Sequence, residues 1–140
     1  MKKKTVYILR GVSGSGKSTL AESLIVGRNG IICTADDFFM VDGEYKFNPA
    51  KLGKAHQECQ VKFLGALVSD EYDVIVVANT NTSPKEYNEY LVQMQMYKEY
   101  VDKVHYLVIE NRHGNKDVHG VPDEVRRSQA DRIRNSLQLL

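Results

Sequence analysis

Residues 11–19 read GVSGSGKST and directly follow the short apolar run TVYILR of residues 5–10. A glycine, four residues and then Gly-Lys-Ser is the spacing of a phosphate-binding loop that joins a strand to a helix. Gly14 and Gly16 allow the backbone to turn successive N–H groups inward, toward an anion at the helix N-terminus. The pattern therefore predicts a nucleotide-binding loop. Its expected contact residues are Gly11, Ser13, Gly14, Ser15, Gly16, Lys17, Ser18 and Thr19.

The end of the loop predicts how the nucleotide is held. We expect Lys17 to reach the β- and γ-phosphates of ATP, and the Ser18 hydroxyl to bind the Mg²⁺ that bridges them. The alternative is a glycine- and serine-rich turn that only connects a strand to a helix. The agreement between the motif and its strand–helix context favours the nucleotide site.

Apolar runs typical of strands alternate along the chain with amphipathic helical patterns. The predicted strands are TVYILRG, GIICT, YDVIVVANTN and KVHYLVIE, and helical patterns begin near Lys17, Asn48, Ser83 and Pro122. The run VIVV lacks polar alternation, which indicates a parallel strand buried on both faces. We therefore predict an α/β P-loop NTPase fold, with a parallel four-stranded sheet covered by helices on both faces and a single domain over residues 1–140.

An acidic turn follows the second predicted strand and carries Asp36 and Asp37 toward the phosphates. A carboxylate there can take the proton of an attacking hydroxyl, or hold a water on Mg²⁺, and Asp36 is the expected base. The alternative is that both residues cap the short turn before Phe38. Asp37 is predicted to lie on the substrate side.

The third predicted strand lacks the aspartate that usually ends such a strand in NTPases, because DVIVVA ends in Ala78. Mg²⁺ is then expected to rely on Ser18, the nucleotide and water, with Asp36 acting through a bound water. Asn79, Thr80 and Asn81 stand where the missing acid would be. They are predicted either to contact the substrate or to form a plain turn.

Basic residues after the fourth predicted strand are candidates for a lid over residues 110–122. Phosphoryl transfer needs cations that arrive as the site closes, and Arg112 is the expected catalytic one. Lys116 and Arg126 are expected to contact the nucleotide. The alternative is a solvated loop and helix face with nearly balanced charge.

Composition excludes several protein classes. The 140 residues carry a net charge of +1, which gives no global attraction to nucleic acid or membrane. Cys33 and Cys59 are far apart in sequence and predict reduced thiols in a cytoplasmic protein. Because the chain shows neither a signal peptide nor an apolar run of membrane-spanning length, no membrane association is expected.

The assembled motifs resemble one family. They are ILRGVSGSGKSTL, TADDFF, DGEYKFNPAKLGKAHQECQ, VIVVANTNT and HGVPDEVRRSQADR. Nearly the whole chain is similar to the P-loop kinase domain of Nedd4-binding-protein-2-like proteins and, more distantly, to the kinase domain of bacteriophage end-healing polynucleotide kinases. The resemblance implies an adenylate-kinase-like sheet of order 2-3-1-4, a lid after strand 4, and transfer of the ATP γ-phosphate to a 5′-hydroxyl end. It matches Asp36 to the general base.

The acceptor stays open at this point. A 5′-hydroxyl end of DNA or RNA is expected from the resemblance, but Phe39 stands where the phage enzymes carry an arginine for the substrate's phosphate. The sequence shows no interleaved basic and aromatic strip of the kind that binds single strands. The alternatives are a nucleoside, nucleotide or other small-molecule kinase, and a non-catalytic ATP-binding module.

Overall fold

The computed structural model describes residues 2–110 and 121–138, with six strands and four α-helices among them. In chain order the elements are β1 (Lys4–Gly11), α1 (Lys17–Ile25), β2 (Gly30–Cys33), β3 (Met40–Val41), β4 (Glu44–Tyr45), α2 (Leu52–Val68), β5 (Val74–Ala78), α3 (Pro84–Met96), β6 (Val101–Ile109) and α4 (Asp123–Gln138). Short 3₁₀ turns cover Ala35–Phe39, Pro49–Lys51 and Lys98–Tyr100.

The central sheet has four parallel strands in the order β2-β5-β1-β6. Counted among themselves, these strands follow the order 2-3-1-4, so the predicted sheet is confirmed. Every residue of β5 is buried, as its unbroken apolar run predicted. Each parallel pair requires a crossover, and the helices between the strands supply it.

Two apolar clusters cover the two faces of the sheet. On one face, α2 and α3 pack against β1 and β5, with Phe63 and Tyr90 fully buried between them. On the other face, α1 packs Ala21 against Val74 and Val76. Helices therefore cover both faces, as predicted. Among the described residues, none of the helices combines the length and hydropathy that crossing a membrane would require.

A small antiparallel hairpin, β3–β4, follows the acidic turn and was not predicted. Its turn consists of Asp42 and Gly43, both with positive φ, at 52° and 80°. An Asp-Gly pair with two left-handed residues suits a two-residue hairpin, because its twist matches that of the flanking strands. The hairpin is a structured part of the molecule beside the acidic turn.

The register of the parallel strands brings their carboxyl ends to one edge of the sheet. Leu9 lies opposite Ala78 on one side and Leu107 on the other. The loops that leave β1, β2 and β5 therefore emerge together, and the candidate site lies at this edge.

Candidate functional site

The phosphate-binding loop adopts a conformation that depends on its glycines. Gly14 and Gly16 have φ values of 77° and 100°, in the left-handed region that other residues enter only with strain. Gly16 is also the N-cap of α1, and it supplies no side-chain cap for the first N–H groups of the helix. These N–H groups and the positive end of the helix dipole are suited to an anion.

Gly11 is required by close packing rather than by its φ angle. A Cβ atom at this position would lie 2.6 Å from Ser15 Oγ and 3.0 Å from the carbonyl oxygen of Ile109. Ser15 is buried, and its hydroxyl has no hydrogen-bond partner among the described residues. The loop is thus folded tightly back on the end of β1.

Lys17 and Ser18, predicted to contact the phosphates and the metal, directly follow the loop glycines in the sequence. Lys17 Nζ donates to the carbonyl oxygens of Gly11 and Val12, at 2.9 Å and 2.8 Å, which holds the ammonium over the loop. Ser18 is exposed in the first turn of α1, and its hydroxyl makes no hydrogen bond within residues 2–110 and 121–138. Both groups are therefore placed at the loop where a phosphate would bind.

Helix α4 fastens the phosphate-binding loop from outside. Arg126 Nε donates to the carbonyl oxygen of Ser13 at 2.9 Å, and Gln129 Oε1 accepts from the Ser13 N–H at 3.0 Å. Arg126 also lies 3.7 Å from Asp123, and its side chain is only 12% exposed. The predicted nucleotide ligand Arg126 thus lies beside the loop, bound to its backbone.

The acidic turn presents Asp36 at the surface, and hydrogen bonds with Thr34 and Tyr45 help to hold it there. The Asp36 N–H donates to Thr34 Oγ1 at 3.2 Å, and the Tyr45 hydroxyl donates to Asp36 Oδ1 at 3.2 Å. Asp37 points elsewhere, since its carboxylate forms an ion pair with Lys62 of α2 at 3.3 Å. The turn therefore offers Asp36, held in orientation, as the candidate base.

Asn79 is buried and anchors the backbone of the acidic turn. Its Oδ1 accepts a 2.8 Å hydrogen bond from the Ala35 N–H, across 44 positions of sequence. Its Nδ2 faces the Tyr90 hydroxyl at 3.4 Å and the Cys59 thiol at 3.6 Å, and Tyr90 donates to that thiol at 3.2 Å. Because only 6% of its surface is exposed, Asn79 can affect the position of Asp36 through its hydrogen bond to Ala35 rather than by contacting a substrate itself.

The groups around Asn79 are electrically neutral. Burial raises the pKa of the Cys59 thiol, and burial together with the neighbouring Cys59 raises the pKa of Tyr90. Burial also raises the pKa of Cys33, to about 12. All three groups keep their protons at neutral pH, so the interior behind the acidic turn carries no charge from them.

Asn81 and Thr80 connect the end of β5 to β1. Asn81 has a positive φ of 47° and donates from Nδ2 to the carbonyl oxygen of Leu9 at 2.8 Å. The carbonyl oxygen of Thr80 accepts from the N–H of Gly11 at 3.1 Å. Asn79 and Asn81 thus form buried contacts within the protein, and the predicted substrate contact remains with the half-buried Thr80.

The sequence analysis did not identify three residues whose side chains support the site, namely Arg10, Tyr45 and Gln129. Arg10 is 4% exposed and donates to the Asn81 carbonyl oxygen and to Ser136 Oγ, both at 2.7 Å. The sequence feature that could have indicated this role is the position of Arg10, a charged residue at the end of an apolar strand. The Asp-Gly pair before Tyr45 could have indicated the hairpin that positions it. Gln129 lies one helical turn after Arg126, on the same face.

The side chains at this site that could bind the expected metal offer oxygen atoms. Ser18 and Asp36 supply a hydroxyl and a carboxylate at the same sheet edge, and Mg²⁺ prefers oxygen ligands. Within the part of the chain that the structure describes, no three His, Cys, Asp or Glu side chains are close enough to hold a metal by themselves. The donor set fits a Mg²⁺ that is bound mainly through nucleotide phosphates and water.

A cleft of about 430 Å³ opens beside the loop, between the end of β6 and α4. Its apolar lining includes Val12, Ile109, Ile133 and Leu137. The volume lies within the range of small-molecule sites. Two predicted lid cations, Arg112 and Lys116, and the centre of the predicted lid lie outside the described residues.

Comparison with known proteins places the chain in a sequence family. Residues 6–140 match the family model AAA_33, described as an AAA domain. Over 105 residues, 70% of the chain, it is 35% identical to human NEDD4-binding protein 2. The match spans only 6% of that protein's length. The resemblance predicted from the motifs is thereby confirmed.

Solved structures share the fold. A chain of the Pnkp1/Rnl/Hen1 RNA repair complex aligns with a TM-score of 0.70 and 21% identity, over 100% of this chain and 47% of that one. A chain from a second structure of the Pnkp1/Rnl/Hen1 complex has a TM-score of 0.55 and 27% identity, over 78% and 37% of the two chains. The APS kinase of Mycobacterium tuberculosis has a TM-score of 0.54 and 15% identity, over 95% and 98%.

Proposed function

The chain belongs to the AAA domain family and has a P-loop kinase fold with a nucleotide-binding loop, and from this premise we propose that it is an ATP-dependent phosphotransferase. It moves the γ-phosphate of ATP to the 5′-hydroxyl end of DNA or RNA. The observation that carries the proposal is the placement of Asp36, held by Tyr45, at the same sheet edge as the phosphate-binding loop.

The chain's own groups bind the nucleotide. The backbone N–H groups around Gly14 and Gly16 surround the β-phosphate, and the adenine occupies the cleft beside Val12. Lys17 exchanges its carbonyl partners for phosphate oxygens. Ser18 and, through water, Asp36 would hold Mg²⁺, which supplies charge neutralisation of the β- and γ-phosphates when bound.

Asp36 takes the proton of the acceptor hydroxyl. The carboxylate is exposed and therefore accessible to an acceptor, while its hydrogen bond from Tyr45 limits its rotation. As the hydroxyl oxygen attacks the γ-phosphorus, its proton passes to Asp36 and the bond to the β–γ bridging oxygen breaks. Lys17 and Arg112 stabilise the transferring group, while Lys116 and Arg126 contact the nucleotide, Arg126 from its position at Ser13.

The nucleic-acid acceptor is supported by two likenesses. The motif order resembles polynucleotide kinases, and the 27% identical chain comes from a Pnkp1/Rnl/Hen1 complex, an assembly described as an RNA repair complex. A small-molecule acceptor is the second candidate. It is favoured by the alignment with APS kinase, which covers nearly the full length of both chains.

The test is a transfer assay with a matched pair of variants. The protein is incubated with γ-labelled ATP and Mg²⁺, together with 5′-hydroxyl DNA, 5′-hydroxyl RNA and a nucleoside panel. Asp36→Asn should lower transfer by roughly 10²–10⁴-fold while ATP binding is retained. Asp102→Asn is the control, because Asp102 is exposed near the start of β6, at the opposite edge of the sheet.

The outcomes separate the candidates. Label on oligonucleotide ends supports the polynucleotide acceptor, and label on nucleosides alone supports the small-molecule kinase. Equal transfer by Asp36→Asn and Asp102→Asn would show that Asp36 is not the base. ATP binding without transfer to any acceptor would leave the ATP-binding module as the better description.

A further inference from the structure

Four aromatic side chains from residues 38–47 pack together at the acidic turn and the hairpin that follows it. They are Phe38, Phe39, Tyr45 and Phe47, called here the aromatic cluster. Phe39 is its buried base, 3% exposed, with ring centroids 5.2 Å from Phe38 and 5.0 Å from Phe47. The rings of Tyr45 and Phe47 are nearly parallel, at 8°, with centroids 6.4 Å apart.

The hairpin positions these rings. Met40 pairs with Tyr45, and the Lys46 N–H donates to the Phe39 carbonyl oxygen at 2.8 Å, which continues the pairing beyond β4. Alternation along an extended strand then places Tyr45 and Phe47 on the same face. Phe39 is anchored in the core and packs against the Phe47 ring. The Phe47 ring is therefore held in place while it stays 50% exposed.

The cluster is joined directly to the candidate base. The Tyr45 hydroxyl donates to Asp36 Oδ1, so the Tyr45 ring lies beside the carboxylate, and the Phe47 ring is stacked 6.4 Å from the Tyr45 ring. One aromatic ring, that of Tyr45, therefore separates Phe47 from the carboxylate that would take the proton of the acceptor hydroxyl.

A positive charge accompanies the rings. Lys54 Nζ lies 5.9 Å from the centroid of the Phe38 ring, and Lys54 forms no ion pair among the described residues. Exposed aromatic faces and nearby positive charge are two features of surfaces that bind single-stranded nucleic acid without regard to sequence. The contact between Phe47 and Phe39 depends on the hairpin fold, which the linear sequence does not show.

We propose that Tyr45 and Phe47 form the surface on which the terminal base of the acceptor stacks, so that the acceptor is a nucleic-acid end with its base intact. This inference rests on the proposed function, since Asp36 defines where the acceptor hydroxyl lies. It narrows that function by favouring base-bearing acceptors over sugars and other small alcohols.

The direct test measures stacking without transfer. Oligonucleotides carrying the fluorescent base 2-aminopurine at the 5′-hydroxyl end are titrated with the full chain, and stacking quenches the fluorescence. We expect quenching with the wild-type chain, its loss in Phe47→Ala, and its retention in Phe47→Trp, which keeps an aromatic face. Tyr106→Ala is the matched control, because Tyr106 is also about half exposed, at 52%, but lies on β6.

The kinetic test compares acceptors with and without a terminal base. Phe47→Ala should raise the KM of base-bearing oligonucleotides by roughly 5- to 150-fold, the range of a lost base–aromatic contact. Oligonucleotides with an abasic 5′ end should show no such change, and the KM of ATP should stay constant. A purely structural defect would change all three.

The outcomes distinguish this inference from the function it rests on. Quenching that is equal in wild type and Phe47→Ala, or equal KM changes for base-bearing and abasic acceptors, would overturn the stacking surface. Quenching that depends on Phe47, with no transfer to any acceptor, would support the surface and overturn the kinase. Unquenched wild-type fluorescence with active transfer would overturn only the stacking surface.

Discussion

Replacement of Asn79 by alanine should both destabilise the fold and slow transfer. The change removes the acceptor of the buried Ala35 N–H and leaves that group without a partner, which costs about 1–3 kcal/mol. The longer contacts to Tyr90 and Cys59 add a smaller loss. We expect the free energy of unfolding to fall by about 2–3 kcal/mol, or the melting temperature by about 6–10 °C.

The functional part of this prediction concerns the position of Asp36. Because Asn79 fixes the residue before Asp36, its loss should lower kcat by roughly 10- to 100-fold with little change in the KM of ATP. Urea denaturation measures the stability, and transfer from γ-labelled ATP, at a temperature where the variant is folded, measures the rate.

Two matched variants separate position from stability. Tyr90→Phe removes a partner of Asn79 but keeps the Ala35 anchor, so it should lose about 1 kcal/mol and retain kcat. Asn88→Ala lies on the exposed face of α3 and should leave both quantities nearly unchanged. The reasoning would be refuted if Asn79→Ala lost less than about 0.5 kcal/mol, or if Tyr90→Phe lowered kcat equally.

Two further predictions concern the loop and the interior. Gly11→Ala should destabilise the chain by about 1–3 kcal/mol and weaken ATP binding, since its Cβ would meet Ser15 Oγ at 2.6 Å; unaltered urea midpoint and affinity would contradict this. Burial raises the pKa of Cys33 from 9.0 to about 12, so the folded chain keeps a proton that the unfolded chain releases. The stabilisation from this proton is complete below pH 9 and is lost toward pH 12, at about 1.4 kcal/mol per pH unit. Denaturation at several pH values should show a shallower decline for Cys33→Ala, and parallel curves would disprove the assignment.

The sheet and its loop were predictable because their signals are local. The run VIVV predicts a buried parallel strand by itself, and the phosphate-binding loop is read from nine adjacent residues. The strand order came from the family resemblance, since periodicity does not specify which strands are neighbours. These parts of the prediction are confirmed by the sheet and by the family match.

The contacts within the site were less predictable because they join distant parts of the chain. An asparagine at the end of a strand gives no sign that it accepts from Ala35, 44 positions away. The sequence left Asn79 open between substrate contact and plain turn, and the structure shows it as an internal anchor. The hairpin was not predicted although Asp42 and Gly43 suit its turn, because its two strands have only two residues each and show no alternating pattern.

The position of β1 in the sheet has a consequence for how the chain folds. β1 comes first in the chain but lies between β5 and β6. The pairing of Thr5 is therefore complete only after Val74 and Lys103, about 70 and 100 positions later, have joined the sheet. Such long-range parallel pairing raises the contact order and slows folding. The phosphate-binding loop at the end of β1 gains its final support only when these later strands are in place. Nucleotide binding is then a reporter of the completed fold, and the ligand should stabilise the native state by mass action.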